Sequence, residues 1–170
     1  PLAEEMVNLA KRENLDDCSG RLFAGRLAFA RGRNEEALAH LDDCLRQRPV
    51  FSYAYMFRGN IQAALGNAHA AIEDFQKAVT LNPVDPLVAK ALAHALYMRD
   101  KDLGGASSEQ RMETRRALER AIHLNPRDIS LLMVYADYIG SSEPLKALEL
   151  RRTIQSSAPT VGNAVNLGKL

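Results

Sequence analysis

The residues able to do chemistry in this sequence are few and poorly grouped. It holds four histidines and two cysteines. His40 and Cys44 are spaced one helical turn apart, on the same face of a helix, where an imidazole and a thiolate can meet a metal ion. A structural zinc site takes four ligands, and nothing nearby supplies the other two. Cys44 also fills a slot that holds Ala78 and Ala121 elsewhere in the chain, which is a packing role. No metal site is expected. His94 shares a helix face with Lys90 and Tyr97, but no nucleophile or acid accompanies it, so hydrogen bonding at a binding surface is the better reading. Arg111, Arg115, Arg116 and Arg120 interleave with Glu109, Glu113 and Glu119, the habit of a solvated helix face. There is no Gly-rich phosphate loop, Gly-x-Ser-x-Gly elbow, His-Glu-x-x-His or Cys-x-x-Cys. The expectation is a protein that is not an enzyme and needs no cofactor.

Composition narrows the partners. Of 170 residues, 46% are hydrophobic, 25% charged and only 6% aromatic, with no Trp, so the core must be aliphatic. Twenty-two basic against 21 acidic residues leave a net charge of +1, too little for an electrostatic footprint on nucleic acid or anionic membrane. No apolar run approaches the roughly 18 residues that span a bilayer. The opening Pro1-Leu2-Ala3-Glu4-Glu5 carries no signal peptide and reads as the interior of a longer protein. Cys18 and Cys44 are too few for a disulfide framework and are read as free thiols, which makes a cytoplasmic location the default.

The elements that must position any site come from a repeat. Pro49 and Pro83 are 34 positions apart, Pro83 and Pro126 43, and Pro126 and Pro159 33. Each proline closes a similar phrase, such as Ala78-Val79-Thr80-Leu81-Asn82-Pro83 and Ala121-Ile122-His123-Leu124-Asn125-Pro126. The residue before proline is pushed out of the α region, so each phrase ends a helix. Asp85 before Pro86 restarts one as N-cap, and Ser142 before Glu143-Pro144 is read as the same device. Small residues at Gly25, Gly59, Ala93 and Ala136 let two antiparallel helices approach, with Ala37, Ala71 and Ala147 facing them. Leu41, Phe75 and Leu118 then fill the space between neighbouring pairs. No segment alternates with the period of a strand. The fold expected is all-α.

A period of 34 residues, an Ala-x-x-x-Phe core and a closing Pro resemble the tetratricopeptide repeat, a helix–turn–helix unit. The second repeat matches best, with Tyr55, Arg58-Gly59, Gly66 at the turn, Ala71, Phe75, Ala78 and Pro83. The first gives Ala24-Gly25, Gly32, Ala37, Leu41, Cys44 and Pro49; the fourth Leu132, Tyr135-Ala136, Ala147, Ile154 and Pro159. The third keeps Leu92-Ala93, Leu118, Ala121 and Pro126 but has Thr114 where a small Ala is expected. The resulting layout is one domain: residues 1–15 a trailing helix, repeats at 18–51, 52–85, 86–128 and 129–161, and the start of a further helix at 162–170. About nine extra residues in the third repeat fall near 100–108, where Gly104-Gly105 and Ser107-Ser108 read as a flexible surface loop. A loop overhanging a binding groove is the sharper alternative. Ser108 is the expected cap of a lengthened helix that runs to about His123.

The resemblance implies a solenoid of antiparallel helix pairs, wound as a right-handed superhelix, whose first helices (helices A) line a concave groove that takes peptides. Register along those helices puts Arg26 and Phe29, then Tyr53, Met56 and Asn60, then Lys90, His94 and Tyr97 in the groove. The tyrosines stand out there because a phenol wants a partner. Leu22, Leu87 and Met133 fit the groove or the packing beneath it equally well. Chaperone-binding members use a carboxylate clamp, and the corresponding positions here are Leu22, Arg26, Phe57, Leu87 and Ala91. The clamp is absent, so a Glu-Glu-Val-Asp-type tail is not the expected ligand; the mixed apolar and cationic groove is closer to bacterial secretion chaperones and assembly scaffolds. The function expected is a protein-interaction module or scaffold with a protein or peptide partner and at most weak homodimerisation. Two alternatives stay open: the substrate-recognition arm of a larger enzyme such as a glycosyltransferase, and a self-assembling structural array.

Overall fold

The computed structural model describes residues 17–102 and 104–157. The trailing helix expected at residues 1–15 and the further helix at 162–170 lie outside them. Among the described residues there are eight α-helices and no strand. They run α1 Cys18–Ala30, α2 Asn34–Gln47, α3 Ser52–Ala64, α4 Ala68–Leu81, α5 Pro86–Asp102, α6 Ser108–Leu124, α7 Ile129–Ile139 and α8 Pro144–Ser157. The fold is an all-α helical repeat in which odd-numbered helices A alternate with even-numbered helices B. The chain divides into two compact units, Pro1–Ala95 and Leu96–Leu170, with the division inside α5.

Local chemistry sets the helix ends. The Asp17 carboxylate accepts from Gly20 N at 3.0 Å, and that of Asp128 from Leu131 N at 3.1 Å. Asp85 Oδ1 accepts from Leu87 N at 2.8 Å and opens α5 with Pro86 as its first residue. At the other ends, the pre-proline residues Arg48, Asn82 and Asn125 leave the helix at φ −137°, −138° and −142°. Gly66 turns α3 into α4 at φ 82°, a left-handed conformation that L side chains adopt only at a cost. Two expectations shift. The cap of α6 is Ser107, not Ser108: its hydroxyl accepts from Gln110 N while the Gln110 side chain accepts from Ser107 N. Ser142 does not cap α8; its hydroxyl donates to the Ile139 carbonyl, and Glu143 is the residue before Pro144.

In the first unit the helix pairs close on missing side chains. A Cβ on Gly59 would come within 2.8 Å of the Phe75 ring, and one on Gly25 within 3.1 Å of the Ala37 carbonyl. Around these seams Ala37, Leu41, Ala54, Ala71, Phe75 and Ala78 are buried almost completely. Ser52 donates to the Ala78 carbonyl at 3.0 Å. Arg58 of α3 reaches both neighbouring helices B: it grips Asp74 of α4 through two bonds, at 2.9 and 2.7 Å, and Asp42 of α2 at 2.6 Å. Those carboxylates, Asp74 first, raise the guanidinium pKa, so this half-buried cation stays charged.

The cysteines are not free. Cys18, at the start of α1, and Cys44, in α2, form a disulfide, both side chains buried and their Cα atoms 4.2 Å apart. The pairing depends on how α1 and α2 cross, which spacing alone does not reveal. It also removes Cys44 as a metal ligand, and the His40 imidazole faces Glu36 instead.

In the second unit the 100–108 segment is part helix and part loop: residues 100–102 close α5 and Ser108 opens α6, while residues 104–107 are not helical. Helices α5 and α6 are 17 residues each, against 13 and 14 in the first pair, and the connection retains only a short segment around Gly104 and Gly105. The helices lengthen because their added turns carry a polar network that ties them together. Arg99 bonds Asp100 and Glu113, and the fully buried Thr114 donates to Asp100 at 2.7 Å. Thr114 therefore departs from Ala in order to hold Asp100. Tyr138 of α7 donates to the same carboxylate at 3.0 Å, Tyr97 of α5 to Asp137 of α7, and Tyr135 to Glu119 of α6 at 2.8 Å.

Three outcomes follow from this packing. Replacing Cys18 and Cys44 by Ser should lower stability by about 3 kcal/mol in urea denaturation, since the bond closes a 26-residue separation. Gly59→Ala should lower it by about 1–3 kcal/mol, because the Phe75 ring must move. The third outcome concerns pH. The phenols of Tyr97 and Tyr138 are pushed up from 10.0 to about 12, the first chiefly by its bond to Asp137, the second by burial and then its bond to Asp100. Only the protonated phenol donates these bonds, so their stabilisation is complete below pH 10 and lost as pH rises through about 12. The urea midpoint of the wild type should fall across that window, and that of Tyr97→Phe/Tyr138→Phe should fall less.

Candidate functional site

The helices A of the first unit carry most of the side chains expected to bind. Their positions step by three or four residues along each helix, while Gly25 and Gly59 face the helix B partner. On α1, Arg26 is exposed and lays its guanidinium 4.6 Å from the centre of the Phe57 ring on α3. Phe29 is half-buried and packs on the core of the first pair together with Tyr53, Tyr55 and Phe57. A cation held over an aromatic ring that is itself half-buried is a rigid, partly apolar platform.

Tyr53 is half-buried and donates its hydroxyl to Asp85 Oδ2 at 2.6 Å, which ties α3 to the start of α5. That hydrogen bond, then burial, raises the phenol pKa, and the same carboxylate caps α5 through its other oxygen. The hydroxyl that the sequence offered to a ligand is therefore committed, and the ring is what remains. Asn60 and His94 are exposed and Lys90 is half-buried. Met56 is a correction. It is only 7% exposed and belongs to the core with Ala71, Phe75 and Val88, because it sits one position round the helix from Phe57, toward α4. Phe57 takes its place on the face. The signal for it was the step of four from Tyr53, which a step of three to Met56 obscured.

Tyr97 belongs to the second unit. Its hydroxyl is committed to Asp137, its ring meets that of Tyr138 edge-on at 6.2 Å, and Lys101 Nζ stands 5.9 Å from its centre. No group of three or more His, Cys, Asp or Glu able to hold a metal occurs among the described residues. Nor is any described helix long and apolar enough to cross a membrane.

Comparison with known proteins agrees with the fold. No curated protein matches the sequence. Residues 24–86 match the sequence pattern of the Tetratricopeptide repeat family. The structure is similar to that of YrrB, a TPR protein with an unusual peptide-binding site, at TM-score 0.74 and 21% identity, over 90% of this chain and 75% of that one. It resembles the first TPR of Spaghetti (RPAP3) bound to the HSP90 peptide SRMEEVD, at 0.64 and 17%, over 74% and 94%. It also resembles the O-GlcNAc transferase of Thermobaculum terrenum, at 0.67 and 18%, over 82% of this chain but 26% of the enzyme. The family's pattern is thus matched over residues 24–86, and the described residues share the helix-pair fold of tetratricopeptide repeat proteins.

Proposed function

We propose that the protein is a non-catalytic interaction module that binds a peptide segment of a partner protein along the helix A face of its first unit. The observation that carries this reading is the platform made by Arg26 over Phe57. Arg26 is exposed and Phe57 half-buried, so the platform is partly apolar and cationic, and Phe29, Tyr53, Asn60, Lys90 and His94 lie on the helices A of the same unit. Rigid aromatic area with a few polar groups fixed beside it is the make-up of an interaction hot spot. Two of the similar structures, YrrB and the Spaghetti TPR, are peptide-binding by their own descriptions, which supports a peptide as the class of partner.

The likeness to part of an O-GlcNAc transferase supports a second reading, in which the same face presents substrates to a catalytic domain elsewhere in a longer protein. Both readings use the face in the same way and differ in what the chain is joined to.

Peptides selected by display against the purified protein test the face. Arg26→Ala, Phe57→Ala and His94→Ala should each weaken the selected peptides by about 5- to 100-fold in fluorescence polarisation. Arg116→Ala, on the exposed surface of α6, should leave affinity unchanged. The reverse pattern, with Arg116 essential and the three α1, α3 and α5 positions silent, would place the binding face elsewhere.

A further inference from the structure

The lengthened helices of the third repeat do more than brace one another. Within the second unit, the last turn of α5, the Gly104–Ala106 segment, the first turns of α6 and the end of α7 enclose a cleft of about 630 Å³. That volume is in the range of sites that hold small ligands or a few side chains. Its wall is apolar where the Tyr97 and Tyr138 rings meet edge-on, and Met112 stands over it with 52% of its surface exposed. Both phenol hydroxyls are donated to protein carboxylates, so the rings offer flat apolar area and not hydrogen bonds.

The charges of the cleft sort into two kinds. Asp100 is saturated by Arg99, Thr114 and Tyr138, Asp137 accepts from Tyr97, and Arg115 is held between Glu119 and Glu143. Lys101 and Arg111 are different: both are exposed, both line the cleft, and neither is ion-paired among the described residues. Lys101 rests its ammonium near the Tyr97 ring, and Arg111 offers its carbonyl, not its guanidinium, to Tyr138. Uncompensated cations beside a flat apolar wall suit a carboxylate attached to an apolar group. The two aspartates in the same wall disfavour a dianion such as a phosphate monoester, which would meet more repulsion than a single negative charge.

We propose that this cleft is a second binding site, taking a short peptide segment in which an acidic side chain lies between Lys101 and Arg111 and a neighbouring apolar side chain lies on the Tyr97 and Tyr138 rings. The site is a product of the third repeat's extra residues, since Lys101, Gly104, Gly105 and Ala106 all come from them or border them. It is separate from the helix A face of the first unit, and either can fail alone.

The test is a titration of the whole protein followed by the methyl resonance of Met112 and the backbone amides of Lys101 and Arg111. The probes are blocked tetrapeptides pairing Glu or Asp with Phe, Tyr, Leu or Met, the same peptides with Gln or Asn, and phenylacetate as a free carboxylate. Saturable shifts are expected with acidic peptides, weakened about tenfold by the amide counterparts and by Arg111→Ala or Lys101→Ala, since each removes a charge-assisted contact. Arg26→Ala should change nothing here, which separates this site from the first. Arg111→Lys should retain part of the affinity. The proposal is overturned if no member of the acidic set gives saturable shifts, if the amide peptides bind equally well, or if both charge deletions are silent. Phenylacetate binding as tightly as the best peptide would overturn the peptide assignment and make the cleft a small-carboxylate site.

Discussion

The whole arrangement depends on how closely two helices of a pair can approach. At Gly59 the approach is so near that even one added carbon would collide with Phe75, and at Gly25 it would press on the backbone of α2. Helices that near bury alanine efficiently, which is why the core holds so many alanines and the chain dispenses with Trp. Larger side chains such as Leu41 and Phe75 then fill the seam itself, packed against Gly25 and Gly59. The disulfide of the first pair belongs to the same constraint, because only helices in intimate contact bring Cys18 and Cys44 within bonding reach.

A second layer of order is polar. Alanine seams are smooth and by themselves would let one helix slide along another. Arg58, joined to both Asp42 and Asp74, and Tyr53, joined to Asp85, fix particular atoms of one repeat against particular atoms of the next. In the second unit Asp100 gathers Arg99, Thr114 and Tyr138 in the same manner. Repeat proteins are held together by nearest-neighbour contacts, so ties of this kind contribute wherever they occur along the array. They also explain which phenols remain for recognition: the ring is presented and the hydroxyl is not.

Much of the fold was legible in the sequence because its signals are local. Proline and the residue before it, aspartate at a helix start and glycine at a turn act within a few positions, and the helix ends lie where those residues put them. What escaped was non-local or depended on a rotation of one residue. The partners of Tyr53 and Tyr97 stand 32 and 40 positions away, too far for any spacing rule. Ser107 and Ser108 are chemically the same, and only the reach of Gln110 decides between them. Met56 and Phe57 are adjacent, and about 100° of helix rotation sends one to the core and the other to the surface. The Gly and Ser of the third repeat's extra residues spoke for a loop, and Gly104, Gly105 and Ser107 lie in one; the lengthening of α5, which Arg99, Asp100 and Thr114 tie to α6, carried no such local signal.

The left-handed turns at Gly32 and Gly66 have one more consequence. Both glycines are exposed, and a Cβ at either would meet nothing within 4 Å. The chain there bends into open solvent with no packing to disturb. These hairpin tips are accordingly natural splice points: foreign sequence, a crosslinking handle or the new termini of a circular permutant grafted there would leave the seam between Gly59 and Phe75 intact.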